Sequence, residues 1–329
     1  MGQPSCIDSA GTIPCPRSRS HPHLWPKTNR ADAEEGAPTP MIQQLSYAVK
    51  YVLGKDVAGR NFFVYPDDTF LVSYPKSGST WARFLVAALA HPEETVSFLN
   101  IDRLLPSVSS RSKRDLRNQT RPRLIKSHEY FDARYQNVIY VVRDPRDVVL
   151  SQYRFFLKRG AIDDGYALDR FVDRFLAGSL NDYGSWGENV GSWLAARQGA
   201  KRFLLLRYED MLLETEKELM KVADFLGKQV APEHLARCVE QGSVDRMRDL
   251  EKKQGDQWVT TKGKRKDVPF VGAAKAGGWK SGLAAEHVAQ IESAWGPLMR
   301  CVGYETSADA AGQGMSAGVT NAALWQRSR

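Results

Sequence analysis

A short stretch of small hydroxyl-bearing residues around one lysine and one glycine is the first place where the sequence could do chemistry. It reads YPKSGSTW at 74–81 and follows the apolar run TFLVSY at 69–74. A strand, a tight turn and a helix start aim backbone N–H groups at one point, where the helix dipole adds positive charge. The residues that could bind an anion there are Lys76, Ser77, Gly78, Ser79 and Thr80. The pattern predicts an anion-binding loop, and an ordinary strand–helix turn with a Ser/Thr cap is the alternative.

A second basic segment, RDPRD at 143–147, closes the apolar run VIYVV at 138–142. Its proline stands where a helix can begin, because proline is tolerated at the first helical position. Arg143 would then project beyond a strand end toward the crevice that holds Lys76, and Ser151 lies about two helical turns farther on. Solvated charges at a helix entry would explain this segment alone. Two anion sites at two strand ends of one sheet favour a ligand with two separated phosphates.

One histidine stands out by its place in the predicted sheet. Of the six histidines, only His128 ends a predicted strand at this edge, in the segment LIKSH at 124–128. A lone histidine is more often structural than catalytic. Beside Lys126 and facing an anion-binding crevice, His128 becomes a candidate general base, since imidazole can take a proton near neutral pH.

The elements that must position these residues follow from apolar runs that alternate with helical patterns. Strands are predicted at 69–74, 124–126, 138–142 and 203–206, and helices at 80–90, from Pro145 onward and at 212–226, with Gly227 as a stop. This alternation implies an α/β fold, a single domain with a parallel β-sheet and helices on both faces. Ligands bind beyond the carboxyl ends of the strands in such sheets, which is where Lys76, Arg143 and His128 fall.

Composition limits the class of protein. The chain has 329 residues, 42% of them apolar and 26% charged, which excludes wholesale disorder. No apolar run approaches the roughly 18 residues of a membrane span. The four cysteines form no CxxC pair and are too few for a disulfide scaffold, and without a secretory signal pattern the chain is predicted to be cytoplasmic. The net charge of +8 favours an anionic partner and leaves nucleic acid, phosphate and sulfate esters open.

Composition also divides the chain into three parts. Residues 1–40 hold seven of the sixteen prolines and no periodic apolar pattern, so they are predicted to be a disordered extension. Residues 41–305 are the candidate domain. Residues 306–329, rich in Ala, Gly and Ser, are predicted to be a flexible tail. Met41 opens the globular pattern, so translation from Met1 and translation from Met41 both stay open.

Taken in order, these segments resemble the sulfotransferase family that uses 3′-phosphoadenosine 5′-phosphosulfate (PAPS). YPKSGSTW is similar to the family's 5′-phosphosulfate loop, RDPRDVVLSQYRFF to its 3′-phosphate segment, and LIKSH to the strand that bears its catalytic histidine. The likeness continues in the family's order through GSWGENVGSW at 184–193, LLLRYEDM at 204–211 and GGWKSGL at 277–283, and it spans roughly residues 65–303. It implies a P-loop-like fold and a cytosolic-type sulfotransferase domain.

The resemblance implies a reaction and its catalytic residues. Lys76 would contact the bridging oxygen that becomes part of the leaving phosphate. His128 would take the acceptor's proton, and Lys126 would help to stabilise charge on the sulfuryl oxygens. PAPS would be the co-substrate and adenosine 3′,5′-bisphosphate its product, with a small-molecule or glycan hydroxyl, or an amine, as the acceptor. No metal is implied, and the sequence contains no clustered metal-ligand motif.

The resemblance also assigns the residues that would bind the donor. The 5′-phosphate would lie in the loop formed by Ser77, Gly78, Ser79 and Thr80, the adenine near Trp81 and Tyr208, and the 3′-phosphate at Arg143 and Ser151. Two positions depart from the family's pattern. An Arg-Lys-Gly triplet that holds the 3′-phosphate in many relatives reads Gly272-Ala273-Ala274, and an expected aromatic reads Val244. The basic residues that could replace the triplet are Lys262, Lys264, Arg265 and Lys266. The C-terminal dimer motif of some animal relatives is not found, so the oligomeric state is open.

A strongly basic stretch lies between the anion loop and His128. Residues 103–123 contain seven Arg or Lys residues against Asp115 alone, a composition typical of a mobile surface loop. Because acceptors bind near this place in relatives, a second hypothesis is that the stretch attracts an acidic or already sulfated acceptor through Arg111, Lys113 and Arg114.

Two other functions compete with sulfuryl transfer. A P-loop kinase or NTPase would need a Walker A loop, and Lys76 precedes Gly78 where that motif places lysine after glycine. A non-catalytic nucleic-acid-binding protein is suggested by the sequence pI near 9.2, but residues 103–123 contain no aromatic side chain on which bases could stack. No nucleic-acid partner is therefore predicted.

Overall fold

The computed structural model describes residues 53, 56–272 and 274–309. The predicted disordered extension, residues 1–40, lies outside the described residues. Of the predicted C-terminal tail only 306–309 are described, and there Thr306 is buried and donates to the Asp309 carboxylate. No helix in the described part of the chain is long and apolar enough to cross a membrane.

A sheet of four parallel strands forms the centre of the fold. The strands are β1 (Thr69–Ser73), β2 (Leu124–Ser127), β3 (Asn137–Val142) and β4 (Phe203–Arg207), in the order β2-β1-β3-β4. In the register, Thr69 pairs with both Leu124 and Asn137, and Val138 pairs with Phe203. Each strand agrees with its predicted segment to within one residue at either end, and the parallel α/β fold is confirmed.

Helices connect the strands and cover both faces of the sheet. In the described residues they are α1 (Ser79–Ala90), α2 (Ile101–Leu104), α3 (Lys113–Arg117), α4 (Pro145–Arg159), α5 (Leu168–Leu176), α6 (Trp186–Arg197), α7 (Tyr208–Leu213), α8 (Thr215–Phe225), α9 (Pro232–Gln241), α10 (Val244–Gln254), α11 (Trp279–Gly282) and α12 (Ala285–Cys301). As predicted, α4 begins at its proline, and the carboxylate of Asp144 caps it by accepting from the Arg146 N–H.

The hydrophobic core lies on both faces of the sheet, because successive strand residues point to opposite sides. Phe70 and Val72 of β1 belong to one cluster with residues of α4, α5, α6 and α12. Leu71 belongs to the other, with residues of α1, α8 and α9. Every residue of β1 is buried, as expected for a parallel strand covered on both sides.

The single helix predicted at 212–226 is wrong. The chain forms two helices there, α7 and α8, which meet at Glu214. The backbone of Glu214 has φ −133° and ψ 58°, outside the helical region. The apolar spacing runs on across this break, so the sequence pattern does not reveal it. The predicted stop is in place, since Gly227 follows α8 with φ 65° and donates to the Asp224 carbonyl.

The basic stretch at 103–123 is folded, not a mobile surface loop. Helix α3 lies within it and begins with a capping box. Nζ of Lys113 lies 3.0 Å from Oδ2 of Asp56. Arg123 is buried and donates from Nε to Asp68 at 2.7 Å. At least these two cations are engaged inside the fold, because burying a charge is costly unless it is paired.

Candidate active site

The ends of three neighbouring strands meet at one edge of the sheet and bring the sequence motifs together. The anion loop follows β1, the LIKSH segment ends β2, the RDPRD segment follows β3, and β1 lies between the other two. Nη1 of Arg143 lies 3.5 Å from the carbonyl oxygen of Lys76, so two of the motifs are in direct contact. Lys76, His128 and Arg143 therefore share one edge, while their roles stay predictions.

The loop after β1 leaves hydrogen-bond donors free for an anion. Lys76 and Gly78 adopt left-handed backbone angles, φ 70° and 87°. A Cβ atom at position 78 would lie 2.3 Å from Cδ2 of Tyr208, so only glycine fits there. Helix α1 begins at Ser79, and its N-cap Gly78 has no side chain to accept from the first N–H groups. The buried Ser77 hydroxyl has no hydrogen-bond partner among the described residues.

Two aromatic rings lie beside this loop. Trp81 and Tyr208 pack edge to face with ring centroids 5.6 Å apart, and Trp81 donates from Nε1 to the Gly242 carbonyl at 2.9 Å. The guanidinium carbon of Arg143 lies 4.3 Å from the centre of the Tyr208 ring. Tyr208 is thus held between the anion loop and Arg143, while Thr80 in the first turn of α1 is partly exposed.

Arg143 is also in contact with the segment that precedes α11. Its Nη2 donates to the Lys275 carbonyl at 3.2 Å and lies 3.7 Å from Oδ2 of Asp147. The Asp147 carboxylate accepts from the N–H groups of Gly277 and Trp279 at 2.8 and 2.9 Å. Nε of Arg143 is buried without a partner in the described part of the chain. A carboxylate at this place near a helix start would complement the helix dipole, and the sequence carries no local signal of its distant partners.

His128 and Lys126 form a close pair at the end of β2. Nε2 of His128 lies 2.6 Å from Nζ of Lys126, and Nδ1 lies 2.7 Å from the carbonyl oxygen of Ser73. Because a carbonyl can only accept, Nδ1 carries the proton of the neutral imidazole and the Nε2 lone pair faces Lys126. Asn189 donates to the His128 carbonyl at 3.0 Å, and the ring of Tyr183 lies 5.5 Å away between centroids.

Burial and neighbouring cations favour the uncharged forms of these groups. Burial, followed by the charge of Lys126, lowers the pKa of His128 well below its ordinary value. Burial lowers the pKa of Lys126 to about 7 with help from Arg83, and the pKa of Lys76 to about 8 with help from Arg143. The site thus holds a neutral imidazole and two lysines that titrate near neutral pH, which suits proton transfer and anion binding.

The Lys76 ammonium lies between two phenyl rings that sequence reasoning missed. Nζ is 4.3 Å from the ring centre of Phe155 and 4.7 Å from that of Phe270. Phe155 lies in the RDPRDVVLSQYRFF segment, one helical turn after the partly exposed Ser151, so its proximity could have been inferred from helix geometry. Phe270 belongs to the connection between α10 and α11 and stands in no motif.

Two of the candidate replacements for the missing triplet are engaged elsewhere. Arg265 forms ion pairs with Asp164 and Asp267, and Lys266 pairs with Asp256. At the triplet itself, Ala274 has φ 50°, whereas Ala273 lies outside the described residues. Val244, where an aromatic was expected, is the first residue of α10, and the Ser243 hydroxyl caps that helix.

Comparison with known families gives one clear match. The model of the sulfotransferase domain matches residues 66–303, more than half of the chain. Among curated relatives, sulfotransferase 2A6 of Mus musculus is 31% identical over 226 residues, which cover 65% of this chain and 76% of the relative. The 3-alpha-hydroxysteroid sulfotransferase of Cavia porcellus is 32% identical over 201 residues, 58% of this chain and 69% of the relative. Sulfotransferase 1E1 of Bos taurus is 30% identical over 235 residues, 67% and 79% of the two chains.

Solved structures share the fold at lower identity. The mouse sulfotransferase SULT7A1 complexed with PAP superposes with a TM-score of 0.59 at 22% identity, covering 73% of this chain and 86% of that one. A retinol dehydratase in complex with retinol and PAP gives a TM-score of 0.59 at 20% identity, covering 80% and 87%. Likeness at this level of identity establishes the P-loop-like α/β fold.

Proposed function

This chain belongs to the sulfotransferase family and is a sulfotransferase enzyme, and we propose that it transfers the sulfuryl group of PAPS to a hydroxyl or amine acceptor by in-line displacement. The observation that carries the proposal is the meeting of the anion loop, the His128–Lys126 pair and Arg143 at one edge of the sheet. In-line transfer needs a fixed donor, a stabilised leaving oxygen and a base for the acceptor, and each requirement has a candidate group at this edge.

The unpaired donors at the two anion sites support binding of a nucleotide with two phosphate groups. The Ser77 hydroxyl and Nε of Arg143 are buried and lack partners within the described residues, which is unfavourable unless a ligand accepts from them. We assign the 5′-phosphate to Lys76, Ser77, Gly78, Ser79 and Thr80, the 3′-phosphate to Arg143 and Ser151, and the adenine to Trp81 and Tyr208. When bound, PAPS supplies an activated sulfuryl group whose transfer leaves adenosine 3′,5′-bisphosphate.

The protein's own groups then account for the chemical step. The Lys76 ammonium stabilises the negative charge that develops on the leaving phosphate, and losing one such donor commonly costs about 10²–10³ in rate. The Ser73 carbonyl holds the proton of His128 on Nδ1, so the lone pair of the neutral ring is on Nε2, the nitrogen that we propose takes the proton of the acceptor. We assign to Lys126, whose Nζ lies 2.6 Å from that nitrogen, the stabilisation of charge on the sulfuryl oxygens.

The acceptor class is proposed from the relatives. Two relatives from Cavia porcellus are named for 3-hydroxysteroids, and a structural relative is a complex with retinol. We therefore propose a small-molecule or glycan hydroxyl as the acceptor. A cytoplasmic location remains part of this proposal.

A transfer assay tests the function directly. Purified protein and [³⁵S]PAPS are incubated with phenol, steroid, sugar and peptide hydroxyl acceptors, with Lys76→Met and His128→Ala as inactive controls. We expect a labelled product from at least one acceptor class, and little from either variant. Calorimetry with adenosine 3′,5′-bisphosphate accompanies the assay, and the absence of both binding and transfer would overturn the proposal.

The same purified protein can be tested for the two rival functions. A P-loop kinase or NTPase predicts turnover of ATP that depends on Mg²⁺, and a nucleic-acid-binding protein predicts binding of DNA or RNA with a steep dependence on salt. We expect no ATP turnover, because the anion loop lacks the Walker order of lysine after glycine. We expect no nucleic-acid binding, because residues 103–123 contain no aromatic side chain on which bases could stack.

A further inference from the structure

We infer that Phe155 and Phe270 act as positioning residues that fix the Lys76 ammonium between their rings, and that transfer depends on this contact. We call the two rings the lysine clamp. The inference rests on the proposed function for the part that concerns catalysis, since Lys76 is there the group that stabilises the leaving phosphate. The contact itself belongs to the free protein and can be tested without any ligand.

The geometry is that of a cation held by two aromatic faces. Nζ of Lys76 lies 4.3 and 4.7 Å from the two ring centres, well within the range in which an ammonium is attracted by a ring quadrupole. The rings are themselves packed edge to face, with centroids 6.1 Å apart and planes at 70°. Among the described residues Lys76 forms no ion pair with a carboxylate. The charge of Glu251 raises the pKa of Lys76 without such a pair, and the two ring faces are in contact with the ammonium.

Phe270 is held in place by backbone hydrogen bonds and by a second aromatic ring. Both oxygens of the Glu251 carboxylate accept from the backbone of this segment, at 2.6 Å from the Phe270 N–H and 2.8 Å from the Val271 N–H. Lys158 lies 3.3 Å from the same carboxylate. The Phe270 ring also packs edge to face on Trp258, with centroids 5.1 Å apart. A ring that merely covered the site would not need this support from both backbone and side chain.

The backbone and charge of Lys76 explain why a clamp is useful. Its φ of 70° is unfavourable for a residue with a Cβ atom, and such strain commonly marks functional positions. Burial lowers the pKa of Lys76 to about 8. Arg143 and Lys158 act in the same direction, and the Glu251 carboxylate acts against them. An ammonium in this setting loses its proton more readily than that of an exposed lysine. Two ring faces favour the charged form alongside the Glu251 carboxylate, and they add no negative charge that would repel an anionic donor.

Fluorinated phenylalanines at position 270 test the clamp without changing the shape of the ring. Each added fluorine weakens the attraction between the ring face and a cation while leaving packing nearly intact. The matched control is the same series at Phe98, which stacks on Trp258 with centroids 4.5 Å apart and has no cation over its ring in the described part of the chain. The first measurement needs no ligand: the rate at which a small acylating reagent modifies Lys76 is followed against pH by peptide mass spectrometry.

We expect the pKa of Lys76 to fall stepwise with fluorination at position 270 and to stay constant with fluorination at position 98. The second measurement is kcat for transfer from PAPS near pH 8, which should drop roughly threefold to tenfold for trifluorophenylalanine at 270. A flat titration series at 270, or an equal shift in the series at 98, overturns the clamp. Should Lys76→Met retain normal transfer, the proposed role of Lys76 fails instead, and the ligand-free titration still decides whether the clamp exists.

Discussion

Nζ of Lys126 and Nε2 of His128 lie 2.6 Å apart, and this contact couples the charge of the lysine to the proton-accepting atom of the imidazole. The other ring nitrogen is committed to the Ser73 carbonyl. Nε2 is therefore the atom that an acceptor hydroxyl would have to reach in the proposed reaction, and Nζ of Lys126 lies directly beside it. Because the two groups interact this closely, they titrate as a pair, and pH profiles report on both.

Lys126→Arg should move the basic limb of the pH–rate profile to higher pH. Burial lowers the pKa of Lys126 to about 7, so this lysine is charged below that pH and loses its charge above it. A guanidinium stays charged throughout, so the limb should then follow Lys76, whose pKa is about 8. The measurement is kcat/KM between about pH 5 and pH 10 for both proteins. If the basic limb of the profile lay at the same pH in both proteins, this result would contradict a role for the charge of Lys126.

His128→Ala should lower kcat by roughly 10²–10⁴, because a positioned base contributes about that much. Burial keeps the pKa of His128 well below its ordinary value, so the wild-type base remains neutral and activity should persist below pH 6.5. Binding of adenosine 3′,5′-bisphosphate should be unchanged. His91→Ala is the control, since His91 follows the C-terminal end of α1, away from the site edge. A variant at 128 with near-normal kcat would rule out this base.

Ser77→Ala should weaken nucleotide binding without destabilising the free protein. The Ser77 hydroxyl is buried and has no partner within the described residues, so its removal leaves no other group unpaired. We expect about a tenfold loss of affinity for adenosine 3′,5′-bisphosphate by calorimetry, and no fall in the free energy of unfolding. Ser185→Ala is the reverse control. Ser185 caps α6 in a capping box, so its loss should cost about 1 kcal/mol of stability and leave binding intact.

The parts of this molecule that the sequence predicts are those set by local patterns. The strands are short apolar runs, and α4 begins at a proline next to a capping aspartate, so both follow from propensity and spacing. The grouping of Lys76, Arg143 and His128 follows from one topological rule, that parallel strands end at the same edge.

What the sequence does not predict depends on contacts between distant residues. The Glu251 carboxylate reaches the backbone of Phe270 nineteen positions away, and Asp147 reaches that of Gly277 across 130 positions. No period or motif connects such pairs. The break at Glu214 is likewise hidden, because an apolar stripe can pass from one helix to the next without losing its spacing.

Arg123→Met should destabilise the protein strongly. Arg123 therefore has a structural role, unlike the role in attracting an acceptor that is proposed for Arg111, Lys113 and Arg114. Arg123 and Asp68 form a buried pair, and removal of one partner leaves an uncompensated charge that typically costs 3–5 kcal/mol. Arg121→Gln is the matched control, because its pair with Asp67 is largely exposed and should contribute nothing measurable. Urea unfolding compares the two variants. Equal stabilities would show that the buried pair is not structural.

Arg143→Gln should discriminate between two nucleotides that differ only in the 3′-phosphate. If Arg143 pairs with that group, its loss should lower the affinity for adenosine 3′,5′-bisphosphate by about 10- to 100-fold, since a charge-assisted hydrogen bond contributes roughly 1.5–3 kcal/mol. The affinity for adenosine 5′-phosphate should change little. Calorimetry with both nucleotides gives the ratio, and the exposed Arg154 on α4, the helix that follows Arg143, provides the control Arg154→Gln.

The ratio matters because Arg143 also supports the site's structure. It contacts the carbonyls of Lys76 and Lys275 and lies over the ring of Tyr208, so its removal is expected to disturb the loop to which we assign the 5′-phosphate. Damage of that kind weakens both nucleotides by the same factor and cancels in the ratio. A selective loss for the bisphosphate therefore assigns the 3′-phosphate to Arg143, whereas an equal loss for the two would leave Arg143 a structural residue and require another cation for that phosphate.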